Sequence, residues 1–525
     1  MAGFTWEEAR KQLKRRRELA LQLGGPEAVA RQRRAGRGTI RERITELTDE
    51  GSFVEVGTLA THRRRDGKGN ILEETPWGYV VGLAKIDGRP VAVGGEDFTV
   101  QGGASTGHVS RRKGGMGGFI EDLAHEYRIP LILCVEGVGG GVGAEEDEAG
   151  PATLSSQGLG RSFQLMGEVP VLTAAMGACA GFAGGRVVIS HFSVMTRETA
   201  CIFAGGPPLV QRALGEKVNK FDLGGAKVHT RGSGLVDNVA EDEADALAQI
   251  KRVLSYLPQS IWEMAPFCPT DDPTDRRDDV LLKIIPEDRR RAYDTHDVIQ
   301  VLIDQGSFFE IGPDWGMCFI TGLARIGGYP VGVLANNPMH LGGALDAQGC
   351  QKQTRFVEFC DTFNIPLVYL VDVPGFMIGE AAEREGTLRK GMRAIQAMAE
   401  ITVPMVTVYM RKAFGMAVDA TSNLDRLHLR VVWPTVEWGS MPVEGGVAAA
   451  HRREIEAAPD PEKRRAEIEG RLLEKAYPWK ISEDFGLEEM IDPTETREYI
   501  YNFIDAAQGS IRSSLGPKPR FGPRL

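Results

Sequence analysis

The sequence predicts an α/β protein built from two like halves, each carrying a mainly parallel sheet. Two observations lead to this. The stretch VPMVTVYMRKAFGMAVD (403–419) is an apolar, β-branched run that ends in a basic pair and a glycine-bearing bend, the pattern of a buried parallel strand breaking into a helix. The stretch VPVLTAAMGACAGFAGG (169–185) repeats it 234 positions earlier, with Gly181-Phe182-Ala183 falling on Gly415-Met416-Ala417. A strand that turns into a helix at a glycine leaves the first-turn N–H groups without intrahelical partners, ready donors for a developing negative charge. One such turn is an ordinary feature of α/β proteins. Two, in two halves of one chain, suggest two donor sites.

The 525 residues suffice for two domains with full cores, and 42% hydrophobic with 26% charged residues is the balance of a globular protein. The net charge of -10, without a sustained basic tract in the core, argues against nucleic acid or an anionic membrane as main partner. No apolar run approaches the roughly 20 residues of a membrane span. The N-terminal MAGFTWEEARKQLKRRR has no apolar core of a secretory signal. Seven scattered cysteines without a C-x-x-C suit a reducing cytoplasm and give no zinc ribbon.

Taken in order, residues 5–36 read as polar helices broken at Gly24-Gly25-Pro26, their basic residues suited to a phosphate or simply to a solvated face. Residues 41–50 form a helix ahead of GSFVEVG, where the internal duplication begins. DEGSFVEVG (49–57) returns as DQGSFFEIG (304–312), offset 255, and VVGLAKIDGRPVAV (80–93) as ITGLARIGGYPVGV (320–333), offset 240. The difference of 15 residues marks THRRRDGKGNILEET (61–75) as an insertion in the first half. GGA at 102–104 matches 342–344 at offset 240, and RIPLILCVEGVG (128–139) matches NIPLVYLVDVPG (364–375) at offset 236. Each half thus reads strand, strand, Gly-rich turn, helix, buried strand, Gly-rich loop, helix, buried strand, elbow. That alternation implies parallel sheets with right-handed crossovers. The proline-bearing, charged segment 258–300 reads as an inter-domain linker, and 452–475 as a charged helical excursion.

Candidate chemistry lies at strand ends. DVPGF (372–376) puts an acid and a tight turn after a buried strand, and VEGVGGGVG (135–143) with the acidic run Glu145–Glu148 matches it in the first half. The acidic run lacks metal-ligand spacing, and no metal is expected. In IFAGGPPLVQ (202–211), Gly205 and Gly206 precede a Pro207-Pro208 pair suited to a first helical turn, either a phosphate- or thioester-facing N-terminus or a plain junction. No P-loop, H-E-x-x-H or M-K-M biotinyl-lysine sequence is present, and His108 and His340 fall at non-equivalent places. Two backbone oxyanion sites without an evident side-chain nucleophile suggest enolate chemistry on an acyl thioester, with the proton acceptor supplied from elsewhere.

These residues resemble a known family. RERITELTDEGSF, IFAGGPPLV with LGGAKVH (223–229), IIPEDRRRAYDTHDVI, FCDTFNIPLVYLVDVPGF and VPMVTVYMRKAFGMAVD are similar to the carboxyltransferase (β) subunits of biotin-dependent acyl-CoA carboxylases, of the propionyl-CoA and methylcrotonyl-CoA kinds. The resemblance implies an α/β fold of two tandem crotonase-like (ClpP/crotonase) domains, at 1–270 on the acyl-CoA side and 271–525 on the biotin side. It implies carboxybiotin on a separate carrier subunit that enters between the N-domain of one subunit and the C-domain of another, a biotin carboxylase partner, and a homo-oligomer, a hexamer. Carboxybiotin releases CO2, the freed nitrogen takes the acyl α-proton, and the enolate attacks CO2. By motif position Phe182 and Ala183 would hold the thioester enolate, and Met416 and Ala417 the biotin ureido oxygen. Gly181, Gly205, Gly206 and Pro207 would bind acyl-CoA; Ala413, Phe414 and Gly415 would bind biotin; Asp419 would lie in the substrate pocket. The family usually has Gly-Gly at 182–183 and Gly-Ala at 416–417, so Phe182 and Met416 add side chains expected to narrow the pocket or shift the turn. The alternatives of other kinds are a decarboxylase or transcarboxylase subunit of the same fold, a biotin-independent crotonase-type enzyme, and an inactive acyl-CoA-binding scaffold.

Overall fold

A computed structural model describes residues 5–66, 68–103, 113–114, 117–139, 159–423, 425–426 and 428–519. The chain divides into two units, 1–262 and 263–524. The acidic run at 145–148, His108 and the last residues of the chain lie outside the described residues.

The first unit has the strands β1 (Val54–Val56), β2 (Thr61–Arg65), β3 (Ile71–Pro76), β4 (Tyr79–Ile86), β5 (Arg89–Glu96), β6 (Leu131–Gly137), β7 (Val171–Ala180), β8 (Phe192–Thr196), β9 (Cys201–Phe203) and β10 (Asn238–Ala240). Its sheet runs β1-β4-β5-β6-β7-β8-β10, with β9 also on β7. The second unit has β11 (Phe309–Glu310), β12 (Phe319–Ile326), β13 (Tyr329–Asn336), β14 (Leu367–Val373), β15 (Met405–Phe414), β16 (Leu429–Val432), β17 (Glu437–Gly439) and β18 (Glu489–Met490). Its sheet runs β11-β12-β13-β14-β15-β16-β18, with β17 also on β15. The two orders are the same order. The first three strands of each sheet pair antiparallel, the second and third of them through a tight turn, and the rest pair parallel. The 61–75 insertion is the hairpin β2–β3, a two-stranded sheet of its own.

The central strands β6 and β14 are buried along their whole length, which is why they read as continuous apolar runs without alternation. In the first unit, helix Phe119–Tyr127 lays Ile120, Leu123 and Ala124 onto the sheet's Leu131, Leu133 and Val135. In the second, helix Ala347–Thr362, capped by Asp346 accepting from the Gly349 N–H at 2.7 Å, buries Phe356, Val357, Phe359 and Cys360. The duplication reaches the torsions. Arg128 (φ 54) and Asn364 (φ 58) end these two helices in the left-handed region, and Gln101 (φ 49) and Leu341 (φ 52) open the two Gly-Gly turns.

The segment 258–300 is not a free linker. Ser260 and Ile261 are buried in the first unit, where the Ile261 N–H donates to the Glu168 carbonyl at 3.0 Å. Tyr293 is buried in the second unit, and Thr295–Leu302 is a helix with Val298 and Ile299 in the core. Some of its charges pair within the second unit, for example Arg276 with Asp272 at 2.8 Å. The charged stretch near 452–475 forms the helices Arg452–Glu456 and Pro461–Ala476, and the N-terminal polar stretch forms Trp6–Leu21 and Pro26–Arg34.

Candidate active site

The two long strands β7 and β15 each bend before they end. Val135 faces Ala175 and Gly137 faces Cys179, so three residues of β7 lie opposite the single Glu136. Val371 faces Tyr409 and Val373 faces Ala413, so three residues of β15 lie opposite the single Asp372. A bulge bends the strand that carries the extra residues. Past it, β7 pairs with β9 and β15 with β17, which frees each strand end from the sheet's next neighbour.

The strand then turns at glycine. Gly181 stands at φ 57, ψ -122 and Gly415 at φ 66, where a Cβ is disfavoured. Helix Phe182–Val188 follows the first, and the 3₁₀ turn Gly415–Ala420 the second. In the first turn the Gly185 N–H reaches the Gly181 carbonyl at 2.9 Å, while the N–H groups of Phe182 and Ala183 make no hydrogen bond among the described residues. Those of Met416 and Ala417 are free in the same way. Each half therefore presents two adjacent unpaired backbone donors at a strand end.

The side chains at these positions divide by direction. Phe182 is 54% and Met416 44% exposed, whereas Ala183 and Ala417 are buried. The larger side chains thus project outward beside the donors, and the turn keeps its form with them in place. Ala413 and Phe414 are buried, and Asp419 is exposed on the 3₁₀ turn. The structure brings the 205–207 corner to the first elbow: β9 ends beside it, with the Gly181 N–H donating to the Phe203 carbonyl at 3.1 Å. The helix Pro207–Leu214 that follows offers little to a phosphate. Pro207 and Pro208 have no N–H, and those of Leu209 and Val210 go to the Gly206 carbonyl at 2.9 and 3.2 Å, so donors at this corner come from Gly205 or Gly206.

Beneath the elbows lies a polar layer whose acids stand in the DVPGF and VEG motifs but whose partners motif reading missed. Glu136 and Asp372, equivalent at offset 236, are fully buried in the two bulges. The Glu136 carboxylate accepts from Gln32 Nε2 at 2.7 Å and pairs with Arg37 and, at 2.7 Å, with Arg43. These arginines are internal counter-ions. Asp372 Oδ2 accepts from Arg411 Nε at 2.9 Å and the Tyr293 hydroxyl at 3.0 Å. Its Oδ1 has no hydrogen-bond partner, and burial raises its pKa above the usual carboxylate value. The backbone N–H of each acid donates to the residue ending the neighbouring strand, Glu136 to Glu96 at 3.3 Å and Asp372 to Asn336 at 3.2 Å. The signal was present in the aligned VEG and VDV triplets, but the partners come from remote segments. Among the described residues no cluster of His, Cys, Asp or Glu has the arrangement of a metal site.

The carboxyl transferase domain family matches residues 31–520. The chain is 38% identical over 503 residues to the propionyl-CoA carboxylase carboxyltransferase subunit of Haloferax mediterranei, covering 94% of this chain and 95% of that one. It is 35% identical over 501 residues to the methylmalonyl-CoA decarboxylase subunit alpha of Veillonella parvula, covering 94% of each. Among solved structures, the transcarboxylase 12S hexamer with methylmalonyl-coenzyme A bound superposes with a TM-score of 0.85 at 32% identity, over 100% of this chain and 98% of that one. With two crotonase-like units, each ending its longest strand in a glycine elbow with free N–H donors, the chain belongs to the carboxyl transferase domain family.

Proposed function

We propose that this chain is the carboxyltransferase component of a biotin-dependent acyl-CoA carboxylase that works on a short acyl-CoA of the propionyl kind. The observation that carries the reading is the pair of free N–H groups at each of two equivalent elbows. The Phe182 and Ala183 N–H groups hold the thioester oxygen as it gains charge during loss of the α-proton. The Met416 and Ala417 N–H groups hold the ureido oxygen of biotin and so favour the nitrogen that has given up its carboxyl group. Their donor chemistry fits both oxygens, and neither needs a side chain. Carboxybiotin, carried on a separate subunit, supplies the CO2 and the basic nitrogen. Gly205 and Gly206 beside the first elbow fit the CoA side, and the exposed Asp419 is assigned to the substrate pocket. The buried Ala413 and Phe414 support the biotin elbow through their backbone. The homologous 12S hexamer supports a hexamer for this chain. We place it in the cytoplasm, a reading supported by seven free thiols, six of them buried, while no helix among the described residues is long and apolar enough to cross a membrane.

The reverse reaction tests this without ATP. With methylmalonyl-CoA and free biotin, the full chain should release CO2 slowly and in proportion to biotin, since free biotin lacks the effective concentration of a tethered carrier. Ala417→Pro deletes one donor N–H and should lower kcat on the order of 10²–10³-fold, the usual loss for an oxyanion donor. CO2 release independent of biotin would point instead to a biotin-independent enzyme. The names of the relatives also favour a second reading, a decarboxylase or transcarboxylase subunit running the same half-reaction.

A further inference from the structure

Beneath the two elbows the halves exchange an arginine. Arg411 lies four residues before Gly415 and Ala420 five after it; in the first half the same two places hold Gly177 and Arg186. Both arginines are buried, Arg411 at 5% and Arg186 at 7% exposure. Arg411 sits in the β15 bulge, bound to Asp372 at 2.9 Å, to the Arg291 carbonyl at 2.7 Å, and 4.8 Å from the Tyr293 ring. Arg186 lies on the helix that leaves the first elbow and pairs with Glu96 at the end of β5, 5.6 Å from the Tyr79 ring. Tyr79 donates its hydroxyl to Glu96 at 3.0 Å, as Tyr293 does to Asp372. Each elbow thus has one buried arginine, one buried acid near a strand end of its sheet and one tyrosine, assembled from non-equivalent positions.

The exchange follows from space. A Cβ on Gly177 would stand 2.2 Å from Glu136 Oε1, so the longer acid of the first half leaves no room for an arginine in its bulge. A buried ion pair is a poor source of stability compared with apolar packing, so one beside each elbow calls for another reason. A glycine turn is free to vary, whereas an oxyanion donor must be aimed to a fraction of an ångström. A planar, forked guanidinium fixes direction as well as distance.

We propose that Arg186 with Glu96, and Arg411 with Asp372, are positioning pairs for the two backbone donor sites. The first holds its elbow from the outgoing helix, the second from the incoming strand. This rests on the elbows acting as donors for the acyl-CoA and biotin respectively. The full-length variants Arg411→Lys, Asp372→Asn, Arg186→Lys and Glu96→Gln are assayed with methylmalonyl-CoA and free biotin, with oligomeric state checked by sedimentation. Arg411→Lys and Asp372→Asn should lower kcat about 10- to 100-fold, the scale of a small misplacement, and raise KM for biotin but not for methylmalonyl-CoA. Arg186→Lys and Glu96→Gln should raise KM for methylmalonyl-CoA and leave that for biotin unchanged. No change in correctly assembled variants, or a loss shared equally by both substrates from either pair, overturns the proposal. Should Asp372→Asn precipitate, Arg411→Lys carries the same test with the buried charge kept. Ala183→Pro and Ala417→Pro run alongside. If these retain wild-type turnover, the donor reading and the positioning pairs fall together; if they lose it while the four pair variants do not, the pairs alone fall.

Discussion

At the scale of single residues, Phe182 stands where the family usually has glycine, and the structure separates its backbone role from its side-chain role. The N–H is free at the elbow while the ring is half-exposed beside it. Phe182→Gly keeps the donor and removes the ring, so it should admit longer acyl chains with little loss on short ones. Turnover measured across a series of acyl-CoA lengths checks this, and an unchanged profile would show that the ring does not line the pocket. Glu121 makes a second, independent prediction. It is buried on helix Phe119–Tyr127, accepts from the Ser162 hydroxyl at 2.9 Å, and burial raises its pKa from 4.5 to about 7. A raised folded-state pKa means that the folded chain binds the proton more tightly than the unfolded one. The stability it gives is full below pH 4.5 and is lost as pH rises through about 7, on the order of 3 kcal/mol from the size of the shift. Glu121→Gln cannot titrate, so its denaturant midpoint should lack that part of the fall between pH 4.5 and 7.

At the scale of elements, the bulge sets the elbow. Three residues opposite one swing β7 and β15 onto new partners, and the strand end then meets the glycine. Gly177 is needed there because the buried Glu136, held by Arg37, Arg43 and Gln32, occupies the space of a side chain. Gly177→Ala should therefore destabilise by about 1–3 kcal/mol, the cost of overpacking, read as a lower denaturant midpoint of the full chain. The matching Arg411 position in the second half should tolerate alanine sterically while losing its ion pair. The strands and elbows were legible because a buried parallel strand writes a continuous apolar run and a strained turn writes glycine. The bulges were not, since an inserted residue leaves no compositional trace. Nor were the partners of Glu136, because Gln32, Arg37 and Arg43 approach it over about a hundred residues of sequence as ordinary members of a polar, basic stretch.

At the scale of the whole chain, the duplication made the fold readable twice over: five matched blocks of sequence became two sheets with one strand order, down to paired left-handed residues at 128 and 364. What the duplication does not contain is as informative for the reaction. The sequence has no P-loop for ATP and no M-K-M biotinyl lysine, and each elbow offers backbone donors in place of a catalytic base. Under the proposed function the chain can stabilise charge on an enolate and on biotin but cannot make carboxybiotin. Given ATP, bicarbonate and propionyl-CoA alone, it should fix no labelled carbon. Adding a cognate biotin carboxylase and biotinylated carrier should restore incorporation, because the tethered biotin raises the local concentration of carboxyl donor well above anything free biotin reaches. Ala417→Pro should abolish most of that restored activity while leaving the partner's own bicarbonate-dependent ATP hydrolysis intact, since that step takes place on the other subunit. Carbon fixed by this chain in the absence of both partners would contradict the division of labour. A restored activity insensitive to Ala417→Pro would move the biotin site away from the second elbow.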